Sequence, residues 1–353
     1  MNNENMSKQQ KYFAAQNSYM GFKSHFNEII NPKDYTRIFI LKGGPGTGKS
    51  SFMKTVAKHF DRNGLQVDEI LCSSDPASLD GIIIKNNKAS IAIMDGTSPH
   101  NQDPKFPGAV EEIIDLGGFW DKRWLSAQRN EIVEIATEKE KAYKTAYSYL
   151  NIAGTIYNEA RKIYSNIFDK DKAKSLAESI IPKEETNKIS TIEKMFVSAF
   201  GKNGYFSLNE TLKIDKEIIL SGSEIICDLF FDVLYEFSNR LGLSIIKFVS
   251  PLDENIIEKL YIKTKSTIIK RGSNGTVDLN GLVPNKNSDI ERCRIMLEMR
   301  EASMNEAVRW FSIASDLHFR LEEIYGKAMD FSKNQEIIHE KLSQIENILQ
   351  NAR

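Results

Sequence analysis

The run Gly43-Gly44-Pro45-Gly46-Thr47-Gly48-Lys49-Ser50 is where residue types and spacing point most directly to chemistry. It satisfies G-x-x-x-x-G-K-[ST], a pattern that cradles phosphate. Glycines let the backbone turn until successive N–H groups face phosphate oxygens. A helix beginning near Lys49 adds the positive end of its dipole. Lys49 has the reach for β- and γ-phosphates, Ser50 offers a hydroxyl to Mg2+, and Pro45 stiffens the loop while giving up an N–H. Gly43 through Ser50, with Ser51 beside them, are the expected nucleotide-binding residues. ATP or another nucleoside triphosphate, with Mg2+, is the expected ligand.

Such a site also needs a carboxylate for the metal. Ile91-Ala92-Ile93-Met94-Asp95 is an apolar run ending in Asp, on the next strand but one after the loop. That pattern holds Mg2+ directly or through water, which makes Ser50 and Asp95 the expected metal residues. Gly96 follows, where AAA+ and ABC ATPases usually carry a catalytic Glu. Orientation of the attacking water or hydroxyl then falls to another residue. Asp75, in Ser73-Ser74-Asp75-Pro76, follows a strand whose carboxyl end opens onto the ligand crevice of such a sheet. The plain alternative for that segment is an Asx-turn or helix cap. His100, in Thr97-Ser98-Pro99-His100, is suited to γ-phosphate sensing or proton transfer, against the alternative of a surface-loop histidine. Lys49, Asp75, Asp95 and His100 form the expected catalytic set. Glu111-Glu112 reads as the cap of a following helix. Lys105, Arg123 and Arg129 are cations available to a transferring phosphate, and nothing in the sequence selects among them.

Several elements must position these groups. Thr36–Leu41 reads as a buried strand, Gln66–Cys72 as a second and Ser90–Met94 as a third. Ser50–Asn63 has helical spacing, with Phe52, Val56 and Phe60 on one face and Gly64 where a C′ glycine belongs. Strands alternating with helices imply an α/β fold: a P-loop NTPase parallel sheet with helices on both faces. Residues 1–11 read as a flexible tail. From Trp120 to about Ile181 the chain is charged and helical, an arm; Lys183–Asn187 reads as a linker. Strand-like runs return in residues 216–262, and the chain is helical again from Asp289.

The two halves look like copies. Ala146, Ala153, Ile163, Tyr164 and Asp169 match Ala307, Ala314, Ile324, Tyr325 and Asp330 at one offset of 161. Gly64, Asp75 and Ile84-Lys85 match Gly242, Asp253 and Ile262-Lys263 at an offset of 178. The expected domains are 12–187, with an arm at about 120–182, and 188–353, with an arm at about 288–350. The second copy has lost the loop. It reads Leu220-Ser221-Gly222-Ser223-Glu224-Ile225-Ile226-Cys227-Asp228, with Cys227 near the position of Lys49 and Asp228 near that of Ser50. Glu224 and Asp228 repel phosphate, and Arg271 falls near the position of Asp95. No nucleotide hydrolysis is expected in the second half. The likeness of residues 220–224 to the ABC signature is superficial, because the segment follows a strand.

Composition agrees with a folded chain of about two domains. With 47 basic and 48 acidic residues among 353, there is no global attraction to nucleic acid or anionic membrane. Three scattered cysteines, Cys72, Cys227 and Cys293, form neither a disulfide framework nor a zinc site. No run of 18 apolar residues occurs. These features imply a cytoplasmic protein without membrane insertion.

Four blocks together resemble a bacterial family found mainly in Firmicutes and labelled ATPase or nucleotide-kinase-like. They are Phe39 to Ser51; Cys72-Ser73-Ser74-Asp75 with Ser78-Leu79-Asp80-Gly81; Met94 to His100; and Pro107 to Glu112. The resemblance covers nearly the whole chain and implies tandem P-loop domains, each with a helical tail. It implies that Asp75, Asp80, Asp95, His100 and Asp103 belong to the site. It names no substrate, and this chain departs from it by lacking the second loop. The leading expectation is a Mg-dependent ATPase with one site. The alternatives are a nucleotide or small-molecule kinase, and a non-catalytic ATP-binding regulator. An acceptor or protein partner is expected to engage the helical arms.

Overall fold

The structure is a computed structural model describing residues 9–181, 190–209, 211–284 and 288–351. The first half contains strands β1 (Lys11–Phe13), β2 (Ala15–Ser18) and β3 (Gly21–Ser24), helix α1 (Phe26–Ile29), β4 (Arg37–Lys42) and α2 (Lys49–Arg62). It continues through β5 (Gln66–Leu71), β6 (Leu79–Lys85), β7 (Ser90–Asp95), β8 (Glu111–Asp115), α3 (Lys122–Ala127), α4 (Arg129–Ile167) and α5 (Lys170–Ile180). The second half contains β9 (Ile192–Met195), β10 (Ser198–Gly201), β11 (Gly204–Ser207), β12 (Lys216–Ser221), α6 (Glu224–Arg240) and β13 (Ile245–Val249). After these come β14 (Ile257–Ile262), β15 (Thr267–Arg271), β16 (Val277–Asp278), α7 (Ser288–Lys327) and α8 (Phe331–Asn351).

The duplication is visible strand by strand. The first sheet has the order β1-β5-β6-β7-β4-β8 and the second β9-β13-β14-β15-β12-β16, the same order displaced by eight strands. Both have the same pattern of parallel and antiparallel pairs. Even the irregularity recurs: the register slips between Ile70 and Leu71, and again between Phe248 and Val249. Gly96 and Gly272 repeat a tight approach, since a Cβ on either would meet the methyl of Ile40 at 2.3 Å or of Ile219 at 2.7 Å.

The sheets are mixed, which corrects the expectation of an all-parallel sheet. Leu79–Lys85, not read as a strand from sequence, runs antiparallel to both neighbours as β6. A short run of Ile beside a glycine carries too little periodicity to declare itself. Glu111 and Glu112 open β8 rather than cap a helix. Lys11, assigned to the flexible tail, pairs with Glu69 in the sheet. The expected linker Lys183–Asn187 lies outside the described residues.

Alternation along the strands sends Phe39, Leu41, Ile82, Ile91 and Ile93 to one face and Ile38, Ile40, Ile83, Ala92 and Met94 to the other. The first face packs on Phe52, Met53, Val56 and Phe60 of α2 and on Ile338, Ile345 and Leu349 of α8. The other face is covered by Phe26 of the four-residue α1 and by Ile30, so among the described residues full-length helices lie on one face only.

The arms are exchanged. α4 and α7 run antiparallel, with Ile135 beside Leu321 and Ile324 at one end, Ala146 and Leu150 beside Ala307 and Phe311 in the middle, and Tyr157 and Ala160 beside Cys293 at the other. α5, at the end of the first arm, packs through Ala173 and Ala177 on the α6 core of the second half. α8, at the end of the second arm, packs on the first half. Burial of Ile338, Ile345 and Leu349 stabilises that docking by roughly 1.5–3 kcal/mol each before ordering costs. The arms therefore meet each other and the opposite sheet. No helix among the described residues is long and apolar enough to cross a membrane.

Candidate functional site

Parallel pairing of β4 with β7 sets Leu41 opposite Asp95, so the start of the glycine-rich loop and the Asp95 carboxylate emerge side by side. Such carboxyl ends are where open α/β sheets hold ligands. The loop enters α2 through Gly48, whose φ is +82°. Lys49 Nζ folds back and donates to the carbonyls of Gly43 and Gly44, both at 2.9 Å, and lies 3.7 Å from Asp95 Oδ2. Thr47 Oγ1 donates to Gly44 O at 2.9 Å, closing the loop on itself.

Ser50 Oγ accepts from the Leu79 N–H at 3.0 Å and keeps a second lone pair. Asp95 Oδ1 accepts from Thr97 N at 2.8 Å and Thr97 Oγ1 at 2.6 Å, which leaves Oδ2 toward Lys49. One hydroxyl and one carboxylate suit a hard cation that takes its remaining ligands from phosphate and water. Among the described residues no group of three His, Cys, Asp or Glu side chains gathers to hold a metal by itself.

A cavity of about 1220 Å3 opens over the loop. Asp75, Asp80, Asp95 and His100 all line it. Asp75 Oδ1 accepts from Ala77 N at 3.4 Å, and its carbonyl accepts from Ser78 N at 2.8 Å. It thus closes the Asx-type turn while facing the cavity. His100 is no surface histidine. It is buried, packed edge-on against Phe22 and Phe26, with Nε2 3.2 Å from Asp80 Oδ2. Burial by itself lowers its basicity, but the Asp80 hydrogen bond and charge prevail and hold the imidazole above its ordinary value. Its Nδ1 is buried with no partner. Asp103 is not at the cavity: it pairs with Lys42, whose Nζ also ties down Gly96 O and Gln102 O. Lys105, Arg123 and Arg129 do not line the cavity either. The tight approach of Gly96 to Ile40 explains why no Glu stands after Asp95.

The cavity takes its remaining walls from distant segments that sequence reasoning missed. Lys139, Tyr143 and Tyr147 come from α4, His318 and Glu322 from α7, and Lys202 from the β10–β11 turn of the second half. Glu322 lies 3.5 Å from His318 Nε2. The His318 hydrogen bond comes first in holding its carboxyl below the ordinary range, against burial, and Lys49 and the Gly46 N–H add to it. The exchanged arm also braces the loop. Asn334 Nδ2 donates to Thr47 O at 3.1 Å, and Gly46 lies so close to α7 that a Cβ there would sit 2.5 Å from Glu322 O. The arm offset of 161 paired the two arms with each other, and no signal in the sequence tied them to the loop.

The second half lacks the loop, as the sequence implies. α6 starts at Glu224, one turn earlier relative to its sheet than α2, and fills the space with helix. Leu220 pairs with Arg271 as Leu41 pairs with Asp95, so Arg271 occupies the register of Asp95. Asp228 accepts from the Tyr157 hydroxyl and lies 4.0 Å from Arg271. Burial first, and Glu224 in addition, pushes Asp228 up to about 7 despite Tyr157, Arg271 and Arg161.

Comparison with protein-family models, with curated proteins and with solved structures finds no match to this chain.

Proposed function

We propose that the first half binds ATP with Mg2+ and hydrolyses it, and that the second half is a pseudo-site without turnover. The observation that carries this reading is the conformation of Gly43–Ser50: a glycine-rich loop between a buried strand and a helix N-terminus, with Lys49 folded over it beside Asp95. The loop amides and the α2 dipole bind phosphate oxygens, and Lys49 turns from the loop carbonyls to the β- and γ-phosphates. Ser50 and Asp95 are the residues that would hold Mg2+, which neutralises charge on the phosphates. Asp75 and the Asp80–His100 pair are the polar groups placed to orient the attacking water.

A second reading draws on the cavity, whose 1220 Å3 exceeds the roughly 300–1,000 Å3 usual for one ligand. That room supports an acceptor beside the nucleotide, and hence phosphoryl transfer to a small molecule. Phosphate release from ATP alone, abolished in Lys49→Ala, is the expected result. Turnover only when an acceptor is added selects the kinase reading. Unchanged ATP affinity in Lys49→Ala refutes both.

A further inference from the structure

The duplication gives several cavity residues a counterpart, and the second half shows what those counterparts do. At the arm offset, Lys139 of α4 corresponds to Arg300 of α7, and His318 of α7 to Tyr157 of α4. The hairpin turns correspond likewise. Ser18 and Gly21 bracket Tyr19 as Gly201 and Gly204 bracket Lys202, so Tyr19 is the counterpart of Lys202. Glu224 stands within the stretch that replaces the loop, at the position of Gly46 by the offset of 178 and of Pro45 by the register that matches Leu220 to Leu41.

In the second half these positions close on an anion built into the chain. The Glu224 carboxylate accepts from Arg300 Nη1 at 2.7 Å and Nη2 at 3.3 Å. Tyr19 Oη accepts from Arg300 Nε at 3.1 Å and Nη2 at 2.9 Å. The guanidinium lies over the Tyr157 ring at 4.6 Å. One arm residue and one hairpin residue of the opposite half thus meet over the negative charge that replaces the loop.

In the first half the loop carries no acid, and both clamp positions are lysines. Lys139 makes no ion pair among the described residues, and burial first, against Glu322, holds its ammonium below the ordinary value. Lys202 Nζ lies 4.7 Å over the Phe319 ring and 3.2 Å from Ser315 Oγ, without an acidic partner among the described residues. Both line the same cavity as Gly43–Ser51. A half-buried cation with no carboxylate paired to it is costly unless an anion arrives.

We propose that Lys139 and Lys202 are the cations that bind the terminal phosphate of the nucleotide, Lys139 from the arm and Lys202 from the opposite half, as Arg300 and Tyr19 close on Glu224. This rests on the reading of the first loop as a triphosphate site. It makes docking of the second half's hairpin part of triphosphate recognition. ADP, which ends one phosphate earlier, lacks the group both lysines hold.

The test is equilibrium binding of ATP·Mg and ADP·Mg to the full chain, with Lys139→Met, Lys202→Met, Lys139→Arg, Arg300→Met and Lys49→Ala. Loss of one charge-assisted contact is expected to weaken ATP about 10-fold or more in each Met variant. ADP affinity is expected to change less than about threefold, with the thermal midpoint held. Lys139→Arg restores ATP preference, because Arg fills the equivalent place in the second half. Arg300→Met lowers stability without changing ATP-to-ADP preference. Equal weakening of ATP and ADP in the Met variants, or no weakening, while Lys49→Ala abolishes both, overturns this inference alone. Intact ATP binding in Lys49→Ala overturns the site reading and this inference with it.

Discussion

Replacing Gly46 by alanine tests whether the second half's arm braces the first loop. Gly46 has a φ of +70°, and an added Cβ falls 2.5 Å from Glu322 O and 3.1 Å from Gly326 N. Left-handed backbone costs a non-glycine residue about 1–2 kcal/mol. The contact is roughly 1 Å inside the usual separation. The atoms met are helix backbone, which cannot rotate aside, and crowding of that kind costs about 1–3 kcal/mol. Reduced freedom of alanine in the unfolded chain offsets about 0.4–1 kcal/mol. The net loss is about 1–5 kcal/mol, centred near 3. Gly44→Ala is the reference: its Cβ meets the edge of the Trp120 ring at 3.2 Å and Tyr325 at an ordinary 4.0 Å, and needs no positive φ. Its expected cost is within about 1 kcal/mol. Chemical unfolding measures the two variants side by side, and ATP titration follows the loop. Relief of the clash displaces either the loop or the last turn of α7, so Gly46→Ala is expected to bind ATP at least tenfold more weakly, about 1.4 kcal/mol. Equal stability of the two variants, or a Gly46→Ala protein that keeps wild-type stability and affinity, would refute the brace.

Two further outcomes are expected. Asp228 is pushed up to about 7 by burial, far above an unfolded aspartate, so the folded state holds its proton across the interval between those values. Stability from this group is therefore full at low pH and declines as pH rises toward 7, by an amount on the order of a few kcal/mol. Asp228→Asn, which keeps the acceptor for Tyr157, should flatten that slope and be more stable than wild type at pH 8; an unchanged slope in a pH series of urea midpoints rejects the assignment. Ala146 and Ala307 are fully buried counterparts where α4 crosses α7. Ala146→Leu and Ala307→Leu should each cost about 1–3 kcal/mol, and by similar amounts; a tolerated leucine at either position would show that the arms do not pack closely there.

Local chemistry and periodicity in the sequence were enough to delimit the glycine-rich loop, α2 with its buried Phe52, Val56 and Phe60, the strand ending at Asp95, and the long arms. Each is specified by residues within a few positions of one another. The two offsets also exposed the duplication, and the loss of the second loop needed only Glu224, Cys227 and Asp228 near the positions of Gly46, Lys49 and Ser50. The antiparallel β6 was not legible, because strand direction is set by pairing partners rather than by the strand's own residues. The company around the loop was not legible either. Lys139, Lys202, His318 and Asn334 are ordinary surface types in sequence. Only the antiparallel crossing of α4 and α7, with each arm ending on the opposite sheet and the β10–β11 turn packed against α7, brings them to Gly43–Ser50. Burial is a property of what packs against a residue. That is why the sequence leaves His100 open between a catalytic group and a surface-loop histidine, whereas the fold makes it a buried partner of Asp80.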